Sequence, residues 1–168
     1  MMRGACLHLA LAAACVGGAA ALRAQAPAAA LVWSHDPVSW CRFVAPLSLP
    51  AGPTYWTGDC PGGKASGLGM LRRRDGQTSG EAFYGEFRAG IPTMGVIDFA
   101  SARANTGGFM VGRFVNGDVG QGEVTFDERD HAFQIATLAA KAVSRRYKAQ
   151  GNATSAAFYE KQAKVLDM

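Results

Sequence analysis

The side chains that could do chemistry in this 168-residue sequence are few and scattered. Beyond the first 26 residues the histidines are His35 and His131. A histidine works as a general base or a metal ligand only with a partner held at a fixed spacing, and neither has one. No C-x-x-C, H-E-x-x-H, G-x-S-x-G or Walker-type run is present. His35 and Asp36 precede Pro37 and read as a loop dipeptide, while His131 falls in the first turn of a predicted helix. The carboxylates Glu86, Asp98 and Asp118 could form a glycan- or peptide-cleaving pair, but they show no paired spacing. The sequence therefore assigns no catalytic residue, cofactor or metal, and the expectation is a protein that is not an enzyme.

One charge run stands out, Arg72, Arg73 and Arg74. Its functional reading is a candidate anion site for phosphate, a lipid headgroup or an anionic glycan at a hairpin end. Its bland reading is a solvated loop after a strand over 68–71. Asp75 follows directly, and the whole chain carries 17 Lys and Arg against 13 Asp and Glu, a net charge of +4. Two of those cations, Arg3 and Arg23, lie in the first 26 residues, where there is no acid, so without that stretch the balance is +2. Charge that small gives no footprint for nucleic acid.

The elements that must position these groups begin with an export segment. Arg3 is followed by an apolar run over 4–22 and then Ala24, Gln25 and Ala26, which resembles a secretory signal peptide. Alanine and glycine dominate the run, so an uncleaved anchor is the weaker reading. Cleavage could follow Ala21, Ala24 or Ala26, although Pro27 is awkward after the last. The run 11–15 also resembles a lipobox ending on Cys15, with Ala12 where leucine is usual; on that route Cys15 is acylated and the protein anchored. A cut at or beyond Ala21 removes Cys6 and Cys15 and leaves Cys41 and Cys60. In an oxidising compartment that pair reads as one disulfide, restricting the unfolded chain by about 3 kcal/mol; the alternative is two buried thiols.

Twenty-one glycines need an explanation that a collagen period does not supply. Three segments, 56–63, 83–90 and 110–117, align at intervals of 27 residues. Each opens on a large apolar residue (Trp56, Phe83, Met110), with Gly two places on (Gly58, Gly85, Gly112). Cys60, Phe87 or Phe114 stands at the fourth place and Gly63, Gly90 or Gly117 at the seventh. Further glycines follow: Gly67 and Gly69, Gly95, Gly120 and Gly122. Positions zero, two and four of a strand share one face, so two bulky groups flank a hollow that can take a ring from a neighbouring strand. Turn-like pairs precede the seventh-position glycine, and Asn116 with Gly117 signals a tight hairpin. Each unit reads as a β-hairpin, and successive hairpins should build an elongated antiparallel sheet.

On these residues the segment 55–126 resembles MORN repeats, whose pattern is Y-x-G-x-F-x-x-G-x-x-x-G-x-G. The first copy matches at Trp56, Gly58, Gly63, Gly67 and Gly69, with Cys60 at the aromatic position. The second departs after Gly90, and the third opens on Met110 and is one residue short between Gly117 and Gly120. The stretch from Cys41 to Cys60 is similar to the start of exported bacterial MORN proteins, where a cysteine precedes a W-x-G-x-C repeat. The resemblance implies a scaffolding or binding role, often at membranes.

Segment 27–54 is proline-rich and reads as a lead-in with one short strand near 40–44, covering the open edge of the first hairpin. After Phe126 glycine nearly vanishes. Asp127 to Asp130 offer capping acids before a helix over 131–150, with Phe133, Ala136, Ala140, Val143 and Tyr147 on one face. Gly151 and Asn152 break it, and a second helix over 154–166 is expected to pack through Phe158, Val165 and Leu166. The stretch 146–163 resembles a single TPR unit at Tyr147, Gly151, Ala156 and Ala163; a local helical hairpin capping the sheet is the simpler reading. Trp56, Phe83, Phe87 and Phe114 are expected in the core, while Tyr55, Tyr84 and Phe109 alternate to the other face, either as a ligand platform or beneath the helices.

The sequence thus divides into 1–26 (signal), 27–54 (lead-in), 55–126 (MORN-like hairpins) and 127–168 (helical hairpin), a mainly β fold with an α-helical tail. The expected function is an exported, periplasmic or secreted binding or scaffolding module of the bacterial envelope. Its expected partner is another envelope protein, and the alternative is a membrane surface or anionic glycan met by Arg72, Arg73 and Arg74.

Overall fold

The structure, a computed structural model, describes residues 30–99, 108–120 and 122–167. The signal segment, its cleavage points and Cys15 lie outside them. A small hairpin of β1 (Trp33–His35) and β2 (Arg42–Val44) comes first. Six strands follow, β3 (Thr54–Asp59), β4 (Ser66–Asp75), β5 (Thr78–Arg88), β6 (Ile91–Asp98), β7 (Phe109–Val115) and β8 (Asp118–Val119), paired antiparallel in chain order. Helices α1 (Phe126–Ala149) and α2 (Ala153–Leu166) close the chain. The fold is mainly β with a C-terminal helical hairpin.

Turn chemistry sets the meander. Ala89 and Gly90 between β5 and β6, and Asn116 and Gly117 between β7 and β8, all have positive φ, the geometry whose twist suits a two-residue hairpin. A short 3-10 turn at Pro61–Gly63 joins β3 to β4. The turn at Gly76 and Gln77 has no counterpart in the sequence reading. Strand β4 therefore does not stop at Leu71; it continues through the three arginines to Asp75.

Register turns the glycine pattern into a three-dimensional row. Gly69 pairs with Gly85, Gly85 with Gly95 and Gly95 with Gly112, four glycines in line across β4 to β7. Beside it on the same face runs the row Trp56, Leu71, Phe83, Ile97 and Met110. A β-carbon at Gly58 or Gly69 would fall inside 3.0 Å of the Trp56 ring, and one at Gly85 or Gly95 inside 3.0 Å of Phe83. At Gly58 and Gly85 the ring comes from the glycine's own strand, two residues earlier, whereas at Gly69 and Gly95 it comes from the neighbouring strand, as expected. The third copy lacks the device. A β-carbon at Gly112 would meet Val124 and Glu128 at 3.4 and 3.5 Å, and no side chain from Met110. Over the trough the rings contact edge to face, Trp56 with Phe87 at 4.8 Å, Phe87 with Phe83 at 5.4 Å and Phe83 with Phe114 at 4.8 Å.

The lead-in seals this face. Phe43 and Leu49 join the aromatic cluster, and the Cys41–Cys60 disulfide, Cα atoms 6.0 Å apart, fastens β2 to the end of β3. It contains two strands, where the sequence suggested one. Asp36 is buried and its carboxylate accepts from the Trp56 amide at 2.7 Å, occupying a donor on the outer edge of β3.

The opposite face carries the rows Thr57, Met70, Tyr84, Val96, Val111 and Tyr55, Arg72, Ala82, Asp98, Phe109. Helix α1 lies across β4 to β7 through Ala132, Phe133, Ala136, Ala139, Ala140 and Val143. Alanine at four of those positions lets the helix sit close above Met70 and Tyr84, and each large side chain enclosed contributes roughly 1.5–3 kcal/mol. Phe109 meets Phe133 edge to face at 5.5 Å, so the face that could have been a platform is covered by helix. Helix α1 starts at Phe126, five residues before the expected start, because Thr125 caps it by accepting from the Glu128 amide. Helix α2 packs through Ala156, Tyr159, Ala163 and Leu166, whereas Phe158 and Val165 are exposed, contrary to their assignment to its inner face.

Candidate functional site

Strand alternation divides the arginine run. Arg72 and Arg74 face the helices and Arg73 faces the lead-in, where its Nε donates to Ala51 O at 2.8 Å and its Nη1 to Arg74 O. Arg72 is only 2% exposed. Its Nη2 donates to the Tyr84 hydroxyl at 2.7 Å, its Nη1 to Gly80 O at 3.0 Å, and its Nε contacts the Met70 sulfur at 3.4 Å. The guanidinium carbon lies 5.7 Å from the Tyr159 ring centroid and 5.9 Å from that of Phe158. A charge expected in a solvated loop is therefore built into the layer between sheet and helices.

Burial works against the charge of Arg72, but the Coulombic and hydrogen-bond pull of Tyr84 and Tyr159 outweighs it and holds the guanidinium above its usual pKa. Burial also drives the Tyr84 hydroxyl well above the ordinary tyrosine value, with Arg72 opposing in part. Tyr159 is raised for the same first reason. All three stay in their ordinary protonation states near neutrality, a fixed cation facing two phenols.

Arg72 forms the inner wall of a cleft of about 480 Å³ between the β4–β5 hairpin and the helices. Arg74 stands nearer its mouth, its guanidinium 5.3 Å from the Tyr55 ring, and its Nε is buried without a hydrogen-bond partner. On the opposite side is the start of α2, where Asn152 accepts from the Ser155 amide at 3.0 Å and Gly151, at φ 75, makes the break between the helices. Thr154 and Ser155 line the cleft from this first turn, and Ser79 lines it from the hairpin. Helix amides and dipole favour negative charge here. Tyr147 and Tyr159 stack in parallel at 5.4 Å, and with half-exposed Phe158 they supply an aromatic wall. The lining thus combines two arginines, three serine or threonine residues and three aromatic residues, with no carboxylate, histidine or cysteine. Such a surface can recognise a negative group joined to an apolar one.

The other candidates fall elsewhere. Glu86 pairs with Arg88 at 3.3 Å and accepts from Thr93 at 2.9 Å. Asp98 is buried and accepts from Gln162 at 2.7 Å, and Asp118 accepts from the Ser48 hydroxyl. Glu86 is in register with Met94 and Asp98 with Ala82, so the sheet does not bring the two acids together. His131 is exposed on α1, and His35 stacks on Trp40. Among the described residues no group of three or more His, Cys, Asp or Glu could hold a metal ion.

Sequence reasoning missed Tyr159, Phe158 and Ser155 as companions of the arginines. The available signal was the parity of β4: Arg72 is two residues from Met70 and Arg74 two further, so one face holds all three. Comparison of the chain with models of protein families, with curated proteins and with solved structures gives no match in any of the three.

Proposed function

We propose that this chain is an exported, non-enzymatic binding module of the bacterial envelope that takes an acidic segment of a partner protein into the cleft between β4 and α2. The observation that carries the reading is Arg74. Its Nε–H is buried and makes no hydrogen bond, and the residue lines the cleft together with Arg72 and the first turn of α2. An unmatched buried donor costs about 1–3 kcal/mol, and a carboxylate toward which the Arg74 side chain turned would relieve that cost. A neighbouring apolar residue of the partner would lie on Phe158 and Tyr147.

Export is supported by the signal-like segment and by the Cys41–Cys60 disulfide, which is compatible with an oxidising compartment. Kinship with MORN repeats is supported by the row of glycines from Gly69 to Gly112 and by the ring-over-glycine units at Trp56 and Phe83. The repeats would serve as a rigid frame, since one sheet face lies under the lead-in and the other under the helices. A flat anionic surface met by the whole arginine run ranks second, because Arg72 is internal and Arg73 is bonded on the opposite face.

Fluorescence anisotropy with a labelled peptide of alternating glutamate and phenylalanine, against its lysine–phenylalanine counterpart, tests the reading. Only the acidic peptide should bind, and Arg74→Gln should weaken it about tenfold or more, as expected for a charge-assisted contact. Equal binding of both peptides, or of neither, would overturn it.

A further inference from the structure

We propose that the tip of the β1–β2 hairpin is a membrane-interface probe that seats Val38 and Trp40 among the headgroups of an anionic bilayer, independently of the cleft. Val38 is 77% exposed and Trp40 69%, on a five-residue tip that also carries Pro37. Trp40 has φ of 60°, a left-handed conformation that a bulky residue avoids unless its surroundings impose it. The imposed conformation holds the indole outward, stacked on His35 with centroids 4.7 Å apart and planes inclined by 10°.

The backbone of this tip makes it suited to lipid rather than merely exposed. The Val38 and Ser39 amides both donate to Asp36 Oδ1 at 2.8 Å, the Trp40 amide to Asp36 O at 3.0 Å, and the Asp36 amide to Cys41 O at 2.8 Å. Pro37 has no amide hydrogen. Every main-chain donor from residue 36 to residue 40 is thus satisfied within the tip, which lowers the cost of moving it from water to the bilayer interface. The second carboxylate oxygen of Asp36 takes the Trp56 amide, and Cys41 is tied to Cys60, so the tip is braced against the sheet.

Charge complementarity names the occupant. Arg42 and Lys64 each lie 5.3 Å from the Trp33 ring, at the base of the same hairpin. The tip's own acid, Asp36, is buried and faces inward, and Asp59 near the disulfide is paired with Arg146. Indole and valine at the tip with cations behind them match the interface of a bilayer containing phosphatidylglycerol. No helix among the described residues is long and apolar enough to cross a membrane.

The test follows Trp40 itself in full-length protein carrying Trp33→Phe, with Trp56 as a buried background. Vesicles of phosphatidylglycerol and phosphatidylethanolamine, with brominated acyl chains, should quench the emission and protect it from aqueous iodide. Trp40→Phe should abolish the quenching, Val38→Ser should weaken vesicle binding, and Arg42→Gln should weaken it about fivefold. Arg74→Gln should leave it unchanged, which separates this site from the cleft. Unaltered iodide access in the presence of vesicles would overturn the proposal. So would protection of Trp40 by soluble polygalacturonate but not by vesicles, which would assign the tip to a glycan.

Discussion

Arg72 donates to the hydroxyl of Tyr84 at 2.7 Å, twelve residues along the chain and one strand away, inside the layer that joins sheet to helices. The bond ties a permanent charge to a phenol where water is excluded, so each group depends on the other. Tyr84→Phe should cost about 2 kcal/mol in urea unfolding, because it removes a short hydrogen bond to a buried cation. In an Arg72→Met background the same change should cost less than about 1 kcal/mol, a coupling typical of contacting residues. Equal costs in the two backgrounds would mean that the bond carries no stability.

The same burial makes stability depend on alkaline pH. Tyr84 and Tyr159 titrate above the ordinary tyrosine value in the folded protein, while in the unfolded chain they ionise near pH ~10. Below that pH both states hold the proton and the contribution is present in full; above it the unfolded state gains charge first, and stability falls as pH climbs toward the folded values. Unfolding free energy should therefore be insensitive to these groups up to about pH 9 and decline beyond about pH 10. Tyr84→Phe should make the decline shallower.

Glycine positions under rings should be intolerant for steric reasons. A β-carbon at Gly85 would lie inside 3.0 Å of both Phe83 and Met94 O, whereas one at Gly108 would meet nothing within 4 Å. Gly85→Ala should destabilise by about 3 kcal/mol through overpacking. Gly108→Ala should fall within about 0.5 kcal/mol of the parent. Chemical denaturation of the two variants side by side checks both.

Much of this frame was legible because it is local. Strand parity around Trp56, Phe83 and Phe87, turn glycines at 90 and 117, and the Gly151–Asn152 break depend on neighbours within a few residues. The cleft was not. Arg72 reads as solvated until Gly76 is known to be the turn, which lengthens β4 and points Arg72 at α1 and α2. Likewise Phe158 looks like an inner residue of α2 by apolarity alone, and Tyr159 takes that place because its ring can stack on Tyr147. Trp40 carried no signal, since its left-handed backbone follows from the side chain of Asp36 and the tie at Cys41. Met110 matched the repeat in sequence without covering Gly112, which a one-letter pattern cannot distinguish.

The Cys41–Cys60 disulfide closes a loop with a sequence separation of 19. Replacing both cysteines by serine should lower stability by about 3 kcal/mol. Because the lead-in covers the aromatic trough, the loss should also appear as faster amide exchange in Phe43 and Trp56 than in α1.

Binding in the cleft is tested most directly by amide NMR of the isotopically labelled protein titrated with the glutamate–phenylalanine peptide. The account predicts saturable shifts at Ser79, Thr154, Ser155 and Phe158, lost in Arg74→Gln while the rest of the spectrum is retained. Shifts that avoid those residues, or that persist in Arg74→Gln, would contradict it.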